Sequence, residues 1–180
     1  LPAFHSQRLA TYAKDMVAIT EDELDQLRVD QIHEMAAWLR QLTLRIVTKS
    51  LFGEDIGPGG KSTGQIIQAA LSQQGNLLMR LLPLDWPGLP WHRYFDLVAS
   101  YEASMRGLIQ AKRQGAGETT DVLSLLMQVR AQDSGAYLSE NELLGHVGVL
   151  FVAGHETSAN ALTWTLFLLS QHPQIMADLL

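Results

Sequence analysis

Between Ser139 and His172 the chain has the pattern of a single long helix that is apolar around most of its circumference. Leu143, Leu144, Val147, Leu150, Phe151, Leu162, Leu166 and Leu169 recur at three- and four-residue steps, and Val149, Val152, Ala161 and Trp164 fill much of the remainder. Both ends are marked. Ser139 and Glu142 have the spacing of a capping box, in which hydroxyl and carboxylate each satisfy a free backbone N–H of the first turn. At the far end Pro173 follows His172, and proline lacks the donor that would continue the ladder. A helix of this kind lies in a protein core or in a membrane. His146, His155, Glu156 and Asn160 oppose the membrane alternative, because no uninterrupted apolar run reaches the usual length of about 18 residues. The expectation is the central helix of a soluble, all-α protein.

At the centre of that segment Ala153-Gly154-His155-Glu156-Thr157-Ser158 sets an acid beside an alcohol. An unpaired hydroxyl in apolar surroundings costs about 1–3 kcal/mol and a carboxylate more, so function explains the pair better than packing does. Ala153 and Thr157 are one turn apart and share a face with Val149, so something flat could lie there. Ala153 and Gly154 remove side-chain bulk where a cofactor would approach closely, and Gly154 weakens the helix by up to about 1 kcal/mol relative to alanine. Thr157 can bond back to the carbonyl of Ala153 and open a groove in the helix.

The rest of the chain follows the same period. Helices are predicted near 5–28, 32–52, 63–81, 91–114, 120–131 and 139–172, parted by breaks such as Gly57-Pro58-Gly59-Gly60 and Asp133-Ser134-Gly135. A further helical pattern opens at Pro173. No alternating strand pattern competes. With 180 residues, 47% of them hydrophobic, there is material for one core and no sign of a second domain. A formal charge of −6, without a basic cluster interleaved with aromatics, argues against a nucleic-acid partner.

Several local motifs lose their force on inspection. Gly60-Lys61-Ser62 ends like a phosphate-binding loop, but Asp55 stands where that loop needs glycine, and a helix precedes it rather than a strand. His155-Glu156 begins like a zinc-protease motif, but Ala159 occupies the second histidine position. His146 and His155 read as ordinary hydrogen-bonded helix residues, His155 lying off the Ala153–Thr157 face. Arg45 and Lys49 read as charges flanking an apolar helix face, solvated or salt-bridged. Trp86, Leu89 and Trp91 lie between prolines, where turn aromatics usually cover a domain's own core, and membrane contact is not expected.

The hexapeptide resembles the distal-helix signature of the cytochrome P-450 monooxygenases, (A/G)-G-x-(D/E)-T-(T/S), at every position. Leu42-Thr43-Leu44-Arg45-Ile46-Val47 through Leu51-Phe52-Gly53 is similar to the helix E segment of bacterial members. Leu1-Pro2-Ala3-Phe4-His5 resembles the residues after their helix C, and Asp121-Val122-Leu123-Ser124-Leu125-Leu126 resembles their helix H. The resemblance implies a single partial domain over 1–180, helices D to I of the family's fold, without its proximal haem-binding segments. Residues 63–81 and 91–114 would be helices F and G, and Leu82 to Trp91 the loop that caps substrate access. It further implies haem b, O2 as co-substrate, an apolar organic substrate, and electrons from NAD(P)H through a ferredoxin or flavin-reductase type donor in the cytoplasm. By the same resemblance Glu156 would relay protons from solvent and Thr157 would steady the oxygen being protonated. Ala153, Gly154 and Thr157 would border the haem, and Val149 and Val152 would touch substrate. No axial ligand can come from these residues, because the family's ligand is a cysteine thiolate and the chain has Cys 0. The chain therefore reads as an internal piece. The competing expectation is a non-catalytic helical interaction module in which Glu156 and Thr157 satisfy each other and nearby backbone.

Overall fold

The computed structural model describes residues 6–54, 63–74, 77–115, 120–130 and 135–179. The segments Leu1 to His5, Gly57 to Ser62 and Asp133-Ser134 singled out above lie outside the described residues. Eight helices are described, namely α1 (Ser6–Leu24), α2 (Met35–Phe52), α3 (Thr63–Gln74), α4 (Leu77–Leu81), α5 (Pro90–Arg113), α6 (Val122–Leu126), α7 (Glu140–Gln171) and α8 (Pro173–Leu179). Among the described residues strand pairing is confined to one isolated antiparallel bridge, Arg130 to Tyr137. The fold is all-α, as expected.

Caps explain where several helices begin and end. The Ser139 hydroxyl accepts from the Glu142 N–H, and the Glu142 carboxylate accepts from the Ser139 N–H at 2.8 Å, so both halves of the capping box form. Asp121 caps α6 by accepting from the Ser124 N–H at 2.9 Å. Gly53 ends α2 at φ 74°, a left-handed conformation that favours glycine, and its N–H reaches the Lys49 carbonyl. Pro90 sits in the first turn of α5, where its missing donor costs nothing.

Of the predicted helix 63–81 every described residue is helical, in α3 and α4, and Gly75-Asn76 lie outside the described residues. Two predicted helices are corrected. Of the segment 120–131, the described residues are helical only from Val122 to Leu126. Beyond it Gln128 and Val129 make tighter bonds to Leu125 and Leu126, and Arg130 turns toward Tyr137. There its guanidinium lies 4.6 Å from the tyrosine ring centre and donates to the hydroxyl at 3.0 Å. The first helix also stops at Leu24, short of residue 28.

The core forms where α2 packs against α7. Leu44, Val47, Leu51 and Phe52 meet Leu143, Val147 and Phe151, with Met105 and Ile109 of α5 and Leu123 of α6 closing the cluster. The rings of Phe52 and Phe151 stack with centroids 6.5 Å apart. A smaller cluster of Ile19, Leu39 and Leu42 joins α1 to α2. Arg45 reinforces that joint, donating to Asp22 at 2.6 Å and to the buried Glu23 at 2.7 Å, so this charge is salt-bridged rather than solvated. The Tyr101 hydroxyl of α5 donates to the Leu144 carbonyl of α7 at 2.8 Å. Burial pushes that phenol up to about 12, so it stays a donor across the ordinary pH range.

Candidate functional site

The buried residues of α7, Leu143, Leu144, Val147, Phe151, His155 and Ala159, form one stripe turned toward α2. At about 100° per residue, Val149, Ala153, Glu156, Thr157 and Asn160 fall on the opposite side, and all five are exposed. Of the site residues read from the sequence, the structure therefore brings Ala153, Glu156 and Thr157 onto one face with Val149. Val149 is 69% exposed and Val152, on the flank of that face, 41%. Both offer apolar surface beside the acid and the alcohol.

Gly154 points elsewhere. A Cβ there would come within 3.3 Å of Val47 Cγ2, so the glycine serves the approach of α7 to α2. An apolar cavity of about 650 Å³ opens beside it between α1, α2 and α7, and Ala153, Gly154 and Ser158 form part of its wall. Val149, Val152, Glu156 and Thr157 do not line that cavity.

The Thr157 hydroxyl donates to the Ala153 carbonyl, as its spacing predicts. That hydroxyl has one proton and two lone pairs, so its oxygen keeps acceptor capacity toward the open face, and rotation about one bond frees the proton. Glu156 stands next to it in water. Just before them in the chain His155 faces inward, its Nδ1 3.0 Å from the Thr43 hydroxyl oxygen. Among the described residues no group of three His, Cys, Asp or Glu is placed to hold a metal ion. Nor is any helix among them long and apolar enough to cross a membrane.

The features that sequence reasoning missed are contacts between distant segments. Lys112 of α5 donates to Asp121 at 2.7 Å with both side chains buried, and Asp121 also holds the Ser124 hydroxyl. An aspartate just before an apolar run could have marked the cap alone. Trp91, read as covering the core, is part-buried and donates to the Met79 carbonyl at 2.8 Å, whereas Trp86 is exposed.

A family model described as Cytochrome P-450 matches residues 1–180. The chain belongs to the cytochrome P-450 family. Cyclooctatin synthase of Streptomyces melanosporofaciens is 32% identical over 190 residues, spanning 99% of this chain and 40% of that protein. A putative cytochrome P-450 137 of Mycobacterium tuberculosis is 28% identical over 181 residues, 97% of this chain and 38% of the relative. Among solved structures, a cyanobacterial CYP120A1 bound to retinoic acid superposes with a TM-score of 0.80 at 26% identity, covering 98% of this chain and 39% of that one. The chain thus spans about 40% of the length of such relatives.

Membership in the cytochrome P-450 family implies haem, and the open face of α7 fits it. A flat macrocycle needs an uncharged surface with little relief, and the line Val149, Ala153, Thr157 provides one, with a methyl as its central side chain. The carboxylate of Glu156 lies to one side of that line and the hydroxyl of Thr157 at its end.

Proposed function

We propose that these residues form the distal wall of a haem monooxygenase that inserts one atom of O2 into an apolar organic substrate. The overall reaction balances as R–H, O2, two electrons and two protons giving R–OH and water. The electrons come from NAD(P)H through a ferredoxin or flavin-reductase type donor. Haem b, when bound, supplies the site of O2 reduction and the oxidising power. Its thiolate ligand would come from outside these 180 residues, which hold no cysteine.

One observation carries this reading: Glu156 and Thr157 stand together on the exposed, otherwise uncharged face of α7, opposite its packed stripe. Ala153 and Thr157 would border the haem, with Gly154 letting the helix close on α2 behind them. Glu156, open to water, takes up protons, and Thr157 holds a proton at its hydroxyl where oxygen is reduced. Val149 and Val152 present hydrocarbon to the substrate and exclude water from it. The retinoic acid of the cyanobacterial neighbour is mostly hydrocarbon, which agrees with an apolar ligand here. The cytoplasm, where NAD(P)H is regenerated, is the compartment this reading implies. A non-catalytic module would need Glu156 and Thr157 satisfied inside a bundle, and their exposure supports the catalytic reading instead.

The test is Thr157→Ala in the whole haem-loaded protein. Haem content should stay unchanged while product formed per NAD(P)H falls and hydrogen peroxide rises, toward the roughly 10²-fold that a positioned proton donor contributes. Unchanged coupling would remove Thr157 from the mechanism.

A further inference from the structure

His155 is fully buried at 0% exposure, lies one residue before Glu156 and two before Thr157, and has no part in the mechanism above. Its ring's only hydrogen-bond partner among the described residues is Thr43 of α2. The Thr43 oxygen lies 2.9 Å from the Leu39 carbonyl and 3.2 Å from that of Arg40. A hydroxyl has one proton, and with that proton on a carbonyl it must accept from the imidazole Nδ1–H. Nε2 is then a bare acceptor with no partner, whereas the reverse assignment would bury an unpaired N–H, the rarer and costlier orphan. Burial also pushes this imidazole below its ordinary value, which keeps it neutral. A leucine would fill the same space against Phe151 without an orphaned nitrogen, so packing alone does not account for a histidine here.

The bond acts at a turn that local features loosen. Gly154 immediately precedes His155, and the Thr157 hydroxyl competes for the Ala153 carbonyl, so the ladder is weakened at this turn. His155 and Thr157 lie about 200° apart around the helix, so an anchor on one sets the direction of the other. We propose that His155, through its Nδ1–H bond to Thr43, is a positioning residue that fixes the rotation of α7 at the turn carrying Glu156 and Thr157. The proposal rests on the monooxygenase reading of that turn.

The experiment uses the whole haem-loaded protein and three readouts: melting temperature, product per NAD(P)H with kcat and KM separated, and the nitrogen-15 shifts of His155. In His155→Leu the melting temperature should hold or rise, while coupling falls by about threefold to 100-fold at unchanged KM, the range expected for a misplacement of up to about 1 Å. His155→Asn keeps an amide N–H near the Nδ1 position, so it should melt lower yet stay coupled. Thr43→Ser should behave as wild type, and Thr43→Val should uncouple, which tests the bond from its other end without emptying the core. The nitrogen shifts should report Nδ1 protonated and Nε2 bare at neutral pH. An Nε2–H tautomer, a coupled His155→Leu, or an uncoupled His155→Asn would each overturn the proposal. Loss of both stability and coupling in His155→Leu would assign the residue to packing and overturn it too. Thr157→Ala separates the two levels. If it uncouples while His155→Leu does not, positioning alone is overturned; if neither uncouples, the reading of the site falls and positioning with it.

Discussion

At the scale of single residues, the acid and the alcohol divide the work by where they stand. Glu156 is exposed and able to exchange protons with water, whereas Thr157 holds its proton against the Ala153 carbonyl until rotation releases it. Glu156→Gln keeps shape and hydrogen bonding but removes the titrating proton. Turnover should fall and its solvent deuterium isotope effect should change, and an identical rate and isotope effect would return Glu156 to a structural role. His155 makes a separate prediction about stability. Its proton affinity in the fold lies below the ordinary 6.5, mainly because burial disfavours the charge, with Arg40 adding to this and Glu156 opposing it. The unfolded chain therefore binds the proton more readily, so this contribution is whole above about pH 6.5 and is lost as pH falls below it. His92, drawn upward by its bond to Asp85, has the opposite sign but lies at the surface, where solvent screens it. Unfolding curves of wild type and His155→Leu between pH 7 and 5 should diverge, the wild type losing more. The face of Val149, Ala153 and Thr157 was legible from spacing because a helix fixes it locally. The aim of Gly154 at Val47 and the pairing of His155 with Thr43 were not, since Thr43 is 112 residues away and only the tertiary fold brings α2 there.

At the scale of elements, legibility follows the same division. The capping box of Ser139 and Glu142 and the stop at Pro173 bound α7 correctly, because caps act within one turn. The contact of Arg130 with Tyr137 beyond α6 and the close seat of α3 at Gly64 are not visible in a period. A Cβ on Gly64 would collide with Thr48 Oγ1 of α2 and come within 3.0 Å of the Phe151 ring. Gly64→Ala should accordingly destabilise by about 1–3 kcal/mol, as overpacking does. Thr48→Ala in the same chain should recover part of that loss, and a strictly additive double mutant would refute the clash. Ser139→Ala should lower stability by about 1 kcal/mol through the lost cap, read from the unfolding midpoint.

At the scale of the whole molecule, one side of the structure is packed and another is bare. Leu162, Trp164, Leu166, Phe167 and Leu168 along the second half of α7 are exposed, as are Leu77, Leu78 and Leu81 of α4 with Trp86 beyond it. Apolar surface of that extent drives association in water. Residues 1–180 expressed alone should self-associate in sedimentation, and when supplied with haem, reduced and exposed to carbon monoxide should show no thiolate-type absorption band, having no cysteine to give one. A monomeric product with a cooperative melt would contradict the first expectation. If the open face of α7 is the haem face, the iron itself is its probe. In the ferric, haem-loaded whole protein, the methyl resonances of Ala153 and Thr157 should be strongly shifted and broadened, while the ring signals of His155, on the far side of the helix, are affected much less. Sharp, unshifted Ala153 and Thr157 methyls beside a broadened His155 would contradict the account.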